Sequence, residues 1–154
     1  MLVHQVMTTN LHCVSPTSLF EEILNILVQN KISGVPVVNG NNKFVGIISE
    51  KDLLLNLFPS PQEFYHDYHY YFNHEHIEQE AVKISHLTAQ DLMTTDVITV
   101  SPLDHCLKAC ALLIIHRIRR LPVVEGNNKL VGIVTTNNLY RNYLQFLAEK
   151  TRTT

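Results

Sequence analysis

The sequence predicts an α/β (α+β) protein of two pseudo-symmetric β-α-β-β-α repeats packed as one module, and three observations carry that prediction. Aligning Met7 with Met93 brings the two halves into register without a gap. MTT falls on MTT, VSP (Val14–Pro16) on VSP (Val100–Pro102), and PVV (Pro36–Val38) on PVV (Pro122–Val124), with GNNK and VGI following at the same offset. Within each copy the apolar period changes from helical spacing to short β-rich runs. The 154 residues, 45% hydrophobic and 17% charged, have the composition of a globular chain able to bury a core.

The elements follow in order. A short apolar run ending in VSP predicts a strand leading into a turn. In the first copy Ser18 and Glu21 have capping-box spacing, and Leu19, Ile23, Ile26 and Leu27 trace an amphipathic helix that runs out near Ile32. In the second copy Asp104 is positioned to cap the matching helix, with Leu107, Ala111, Leu112 and Ile115 as its buried stripe. Two strands come next, VPVV and FVGII in one copy, LPVV and LVGIV in the other. The string GNN between them favours positive φ and a hairpin. A last helix begins at Ser49 or Thr135. The repeats are assigned to residues 6–58 and 92–143, the extent of a family resemblance given below, with an insertion and linker at 59–91 and a C-terminal tail at 144–154. In the linker, PSP breaks the preceding helix and Glu75 to Lys83 start another.

Charge and cysteine content exclude several function classes. A net charge of −2 gives no overall attraction to duplex nucleic acid or an anionic membrane, so any anion site is built locally. Cys13, Cys106 and Cys110 are odd in number and lack CxxC spacing, which argues for free thiols in a reducing cytoplasm rather than a disulfide framework or thiolate zinc site. The opening MLVHQVMTTN has no signal core, and the longest apolar run, Ala109 to Ile115, is too short to span a bilayer. A soluble cytoplasmic protein is expected. No nucleophile elbow, Walker loop, Ser-His-Asp order or paired-acid motif appears, so the chain does not read as an enzyme.

The string G-h-h-[ST]-x-x-[DN]-h occurs twice, as GIISEKDL (Gly46–Leu53) and GIVTTNNL (Gly132–Leu139), each after an h-PVV strand and a Gly-containing hairpin. In this the chain resembles the CBS domain, which occurs as tandem pairs called Bateman modules. The resemblance covers most of the sequence. It implies two intertwined α/β units with a ligand cleft, a stand-alone regulatory pair, and a homodimer that passes its state to a separate effector protein. Its ligand would be AMP, ADP or ATP, with S-adenosylmethionine also possible, and no cofactor would be required.

The motif residues have matching chemistry. A carboxylate can accept from both hydroxyls of a ribose, and a Ser or Thr at a helix N-terminus stands where free N–H groups favour phosphate. Ser49 with Asp52 meets both needs, although S-x-x-D is also a local capping pattern. Thr135 with Asn138 is the weaker copy, because an amide offers one acceptor oxygen. By the resemblance, Arg119 and Arg120, standing just before LPV, would reach the phosphates of a ligand whose ribose is held by Asp52. The first copy has Ser33 and Gly34 there, so one competent and one degenerate site are expected. The residue reading alone leaves open a solvated patch of Arg117, Arg119 and Arg120 at a helix end. The resemblance would also lay adenine against Ile32, Ser33, Gly34 and Val35, near Val14 and Ile47, positions that equally read as core.

The linker holds tyrosines and phenylalanines interleaved with His66, His69, His74 and His76. Ligation of zinc or nickel by His66 and His69 with Asp67 or Glu75 is one reading. An aromatic segment covering the module or its dimer partner is the other.

Overall fold

A computed structural model of the chain describes residues 1–66 and 73–152. Besides a 3₁₀ turn at Val3–Gln5, seven α-helices are formed in them: α1 (Phe20–Asn30), α2 (Glu50–Leu55), α3 (Pro61–His66), α4 (His74–Ile84), α5 (Ala89–Leu92), α6 (Cys106–Ile115) and α7 (Thr136–Arg152). Four strands make two two-stranded sheets: β1 (Gly34–Val38) with β2 (Phe44–Ser49), and β3 (Arg120–Glu125) with β4 (Lys129–Thr135). The chain divides into two compact units that are not the two sequence repeats. One comprises Met1–Leu11, Asn41–Phe44 and everything from Val97; the other comprises His12–Gly40 and Val45–Asp96.

In the unit holding His12–Gly40, α1 turns Phe20, Ile23 and Leu27 inward, onto Val14, Val35, Val37, Ile48, Leu53, Ile84, Ala89 and Leu92. The helix ends at Lys31, whose φ of 52° is left-handed. Its start differs from expectation. The N-cap is Leu19, with no side-chain cap. Ser18 instead accepts from Ser15 N–H (3.2 Å) and closes the turn before the helix, so the Ser18–Glu21 box is not formed. Backbone bonds hold the entry: Phe20 N–H to Leu87 O (3.0 Å) and Ala89 N–H to Ser18 O (2.8 Å). Leu19, outside the helix, is exposed rather than buried. Val14 likewise makes one parallel bridge to Val37 instead of a strand. Pro16 has no N–H to continue a ladder, and the Ser15–Ser18 turn follows at once.

The MTT string acquires a role in this unit. Ile47 and Thr94 exchange backbone hydrogen bonds at 3.0 and 2.9 Å. A Cβ on Gly46 would stand 2.6 Å from Met93 Sδ and 2.9 Å from Thr94 O, so only glycine lets this segment cross the sheet.

The unit holding residues from Val97 repeats the arrangement. Thr8 and Ile133 exchange backbone bonds at 2.9 and 3.0 Å, and a Cβ on Gly132 would meet Met7 Sδ at 2.6 Å. Val3 is fully buried here with Val100, Leu121, Val123, Val134 and Leu139. The face of α6 corrects the sequence reading: Cys106, Ala109 and Leu113 point inward, whereas Leu107 and Ile115 are 58% and 72% exposed. Ala111 is exposed as well, and Leu112 half-buried. CLKACALLII is apolar almost all round, so its periodicity has too little contrast to identify a face. Asp104 does not cap α6 either, since its carboxylate accepts from Ser101 N–H (2.9 Å) and Lys108 Nζ (2.8 Å). Those two donors hold its carboxyl below the usual carboxylate range, Lys108 being the larger cause.

The hairpin prediction holds in detail. Asn42 and Asn128 have φ of 56° and 61°, and β3 pairs with β4 from Arg120↔Thr135 to Glu125↔Lys129 with an irregularity at Val123/Val124. Both asparagines also donate from their side chains, Asn42 Nδ2 to Leu130 O (3.0 Å) and Asn128 Nδ2 to Phe44 O (2.7 Å).

Candidate functional site

Ser49 is the N-cap of α2, and the string that places it there also closes a reciprocal box. Asp52 Oδ2 accepts from Ser49 N–H and from Ser49 Oγ, both at 2.7 Å, while Ser49 Oγ accepts from Asp52 N–H at 3.2 Å. Oδ2 is thereby filled. Oδ1 has no partner among the described residues and keeps capacity for two donors. The half-buried Asp52 thus combines a capping oxygen with an open one. The Ser49 hydroxyl is committed at both ends, and α2 has only six residues, so little dipole stands behind a phosphate there.

Ser33 O accepts from Glu50 N–H (3.1 Å), which stitches the lead-in of β1 to the first turn of α2. That bond sets Ile32, Ser33 and Gly34 beside the Ser49–Asp52 box. Val14 and Val35 are core residues with almost no exposed surface, and Gly34 is buried. Ile32 and Ile47 are half-buried and Ser33 is exposed, so these three retain surface for a planar ligand. The predicted wall therefore divides into an accessible pair of isoleucines and a buried backing.

The second motif copy is closed on itself. Asn138 Oδ1 accepts from Thr135 N–H (2.5 Å) and Thr135 Oγ1 (2.7 Å), and Thr135 Oγ1 accepts from Asn138 N–H at 3.4 Å. Asn138 Nδ2 donates to Val6 O (3.3 Å) and Thr8 Oγ1 (3.5 Å). Its oxygen and both amide hydrogens are used, the latter in tying down the N-terminal segment. Aspartate has no hydrogen to donate in this way.

Arg119 O accepts from Thr136 N–H (3.0 Å), the counterpart of the Ser33–Glu50 stitch. The Arg119 side chain is exposed and lines an open hollow of about 600 Å³ with Thr136, Asn137, Tyr140, Arg141 and Leu144. Arg120, the first residue of β3, is half-buried and already engaged within the protein. Arg117 is the left-handed residue after α6, with φ of 53°. Arg141 and Tyr140 were missed by the motif reading, and only their helical spacing from Asn137 signals them. A second hollow, of about 430 Å³, lies at the two GNNK turns, lined by Asn41, Lys43, Glu125, Gly126, Asn127 and Lys129, and contains none of the predicted ligand-site residues.

His66 ends α3 and Glu75 lies in the first turn of α4, whereas Asp67 and His69 lie outside the described residues. Among the described residues no group of three or more His, Cys, Asp or Glu is arranged to hold a metal ion. The three cysteines are free, and burial pushes each thiol pKa up. No helix among the described residues is long and apolar enough to cross a membrane.

Comparison with known proteins identifies the family. The family model described as CBS domain matches residues 3–58 and again 89–144. The chain is 31% identical to CBSX2, a chloroplastic CBS domain-containing protein of Arabidopsis thaliana, over 94% of this chain and 63% of the relative. It thus spans less than two thirds of that protein. The crystal structure of CBSX2 in complex with AMP superposes with a TM-score of 0.73 at 33% identity, covering 94% of this chain and 97% of that one. The chain is also 30% identical to the inosine-5'-monophosphate dehydrogenase of Methanocaldococcus jannaschii, over 89% of this chain but only 23% of that enzyme.

Proposed function

The chain belongs to the CBS domain family and carries two of its domains in tandem, and from that premise we propose that it is a regulatory module. It senses an adenosine-containing ligand, AMP, ADP or ATP, and transmits the bound state to a separate partner protein. The observation that carries the reading is Asp52: a half-buried carboxylate, fixed by its own cap, with Oδ1 left to accept from a ribose. Ile32 and Ile47 beside it suit a purine ring. CBSX2, at 33% identity, is a family member whose structure contains AMP.

The phosphates of the same ligand are assigned to Arg119, with Arg120 secondary because it is half-buried and engaged. Asp52 belongs to one unit and Arg119 to the other, and their service to one ligand rests on the family pattern. The self-satisfied Asn138 supports one ligand per chain rather than two. S-adenosylmethionine is the less favoured ligand, since a guanidinium selects phosphate over a sulfonium cation. A homodimer fits the exposed Leu107 and Ile115 of α6, whose counterparts in α1 are Glu21 and Gln29. Free thiols support a reducing, cytoplasmic setting. Signalling follows from linkage: a ligand shifts only an equilibrium whose two states it binds unequally.

Calorimetric titration of nucleotide-stripped protein with AMP, ADP, ATP and S-adenosylmethionine tests the reading. Binding near one per chain that is lost in Asp52→Ala is the expected result. Absence of binding, or binding indifferent to Asp52, would reduce the motif to a helix cap and leave a ligand-free interaction module.

A further inference from the structure

We infer that Arg141 is a second phosphate-reading residue and that the ligand therefore carries a chain of at least two phosphates. This deepens the adenosine reading and rests on it, because it takes Arg119 as a phosphate group's partner. Arg119 and Arg141 line the same open hollow with Thr136, Asn137, Tyr140 and Leu144. No carboxylate lines it, and neither arginine takes part in the Lys83–Glu80 or Lys108–Asp104 ion pair. Two guanidiniums that share a hollow with no anion repel each other until one arrives.

The duplication supplies an internal control. At the corresponding positions the first copy has Ser33, Glu50, Lys51, Leu54, Leu55 and Phe58. Arg119 thus replaces a serine, Thr136 a glutamate and Arg141 a leucine. The first set carries one negative and one positive charge, and the second carries two positive charges. Three of the four charge changes raise the positive charge at this one surface and the fourth, Lys51 to Asn137, lowers it, so the set goes from balanced to net positive. The face is not general basic surface, because Lys51 has become Asn137 in the same set.

Position along the helix separates the roles. The Thr136–Arg119 backbone bond pins Arg119 at the first residue of α7. Arg141 follows five residues later, about 7.5 Å along the axis at 1.5 Å per residue. A phosphate held by Arg119 at the start of the helix leaves Arg141 to the next group outward. A monophosphate ends before it, while a diphosphate or triphosphate reaches it.

The test is calorimetric titration of the full chain with AMP, ADP and ATP in magnesium-free buffer, for wild type, Arg141→Gln, Arg141→Lys and Asp52→Ala. Arg141→Gln should weaken ADP and ATP about tenfold, the worth of one charge-assisted contact at an exposed site, and leave AMP within about twofold. Arg141→Lys should recover part of the loss, since it keeps the charge without the fork. Equal effects on AMP and ATP, or none on either, overturn the inference. If nucleotides bind through Asp52 but ignore Arg141, the inference fails alone. If wild type binds no nucleotide, or binds independently of Asp52, the adenosine reading fails and takes it along. Arg141 is exposed, so an unchanged thermal melt verifies that the variant is folded.

Discussion

Asp52 does two jobs under the proposed reading, and the second motif copy shows how to separate them. Asp52→Ala removes the acceptor of two 2.7 Å hydrogen bonds from Ser49. Loss of such a cap costs about 1–2 kcal/mol. For a chain of this size that lowers Tm by roughly 3–8 °C. Asp52→Asn is different, because Asn138 already performs the same capping through one amide oxygen, at 2.5 and 2.7 Å from Thr135 N and Oγ1. The asparagine variant should therefore stay within about 0.5 kcal/mol of wild type, as expected when no buried group loses its partner. What it loses is the open Oδ1, replaced by a donor that cannot accept a ribose hydroxyl. Adenine-nucleotide affinity should fall about 10- to 100-fold, the value of one or two hydrogen bonds to a charged acceptor.

Two assays separate the effects: denaturant unfolding without ligand, and calorimetry with the nucleotide that wild type binds. A deoxyribose analogue completes a cycle, since removing a hydroxyl should weaken wild type and leave Asp52→Asn almost unaffected. Affinity in Asp52→Asn within about twofold of wild type would refute the ribose role, given that a charged hydrogen bond is worth more than that. A stability loss in Asp52→Asn equal to that of Asp52→Ala would refute the claim that one oxygen suffices for the cap.

Three further outcomes are expected. Gly46→Ala should destabilise by about 1–3 kcal/mol and Gly132→Ala by less, in urea unfolding, because the added Cβ meets backbone Thr94 O at 2.9 Å in one case and Thr8 O at 3.2 Å in the other. Asn138→Ala should speed amide exchange at Met7 and Thr8 by about tenfold relative to the core strands, since the side chain ties Val6 O and Thr8 Oγ1. At neutral pH the thiols should react with a disulfide reagent slowly, Cys106 slowest, and quickly once the chain unfolds, because burial raises their pKa and thins the thiolate population.

Much of what depends on local chemistry or on repetition was legible in the sequence, though neither the Ser18–Glu21 box nor an Asp104 cap is formed. The strand pairs, the asparagine hairpins and the Ser49 and Thr135 helix starts each rest on a few adjacent residues, and all stand where the spacing puts them. Partners far apart in sequence were hidden. Nothing near Ser18 announces that its hydroxyl turns back to Ser15 while Leu87 and Ala89 hold the entry to α1. The buried face of α6 was obscured by a helix apolar on every side. Met93 over Gly46 was visible only as two conserved offsets within the duplication, with no indication that one packs on the other. At the candidate site, the Ser49–Asp52 pair was legible as both cap and acceptor, but which oxygen stays open required coordinates. Arg141 lay beyond the motif window altogether.

The exchange of segments explains why both copies carry the motif, whether or not a ligand meets it. Met7–Thr8 lies on Gly132–Ile133 and Met93–Thr94 on Gly46–Ile47, so each MTT string serves the sheet of the repeat other than the one it precedes. A unit of about fifty residues barely closes a core by itself, and the borrowed segments contribute Val3 to one core and Ala89 and Leu92 to the other. Each unit then needs a firmly started helix directly after the strand that the borrowed segment crosses. Ser49–Asp52 and Thr135–Asn138 both provide that start, one through an aspartate and the other through an asparagine. The shared string therefore follows from folding alone and says nothing about ligand. The difference between the copies carries that information: at Asp52 an acceptor oxygen is left over, whereas at Asn138 the remaining atoms are spent on holding the N-terminal segment in place.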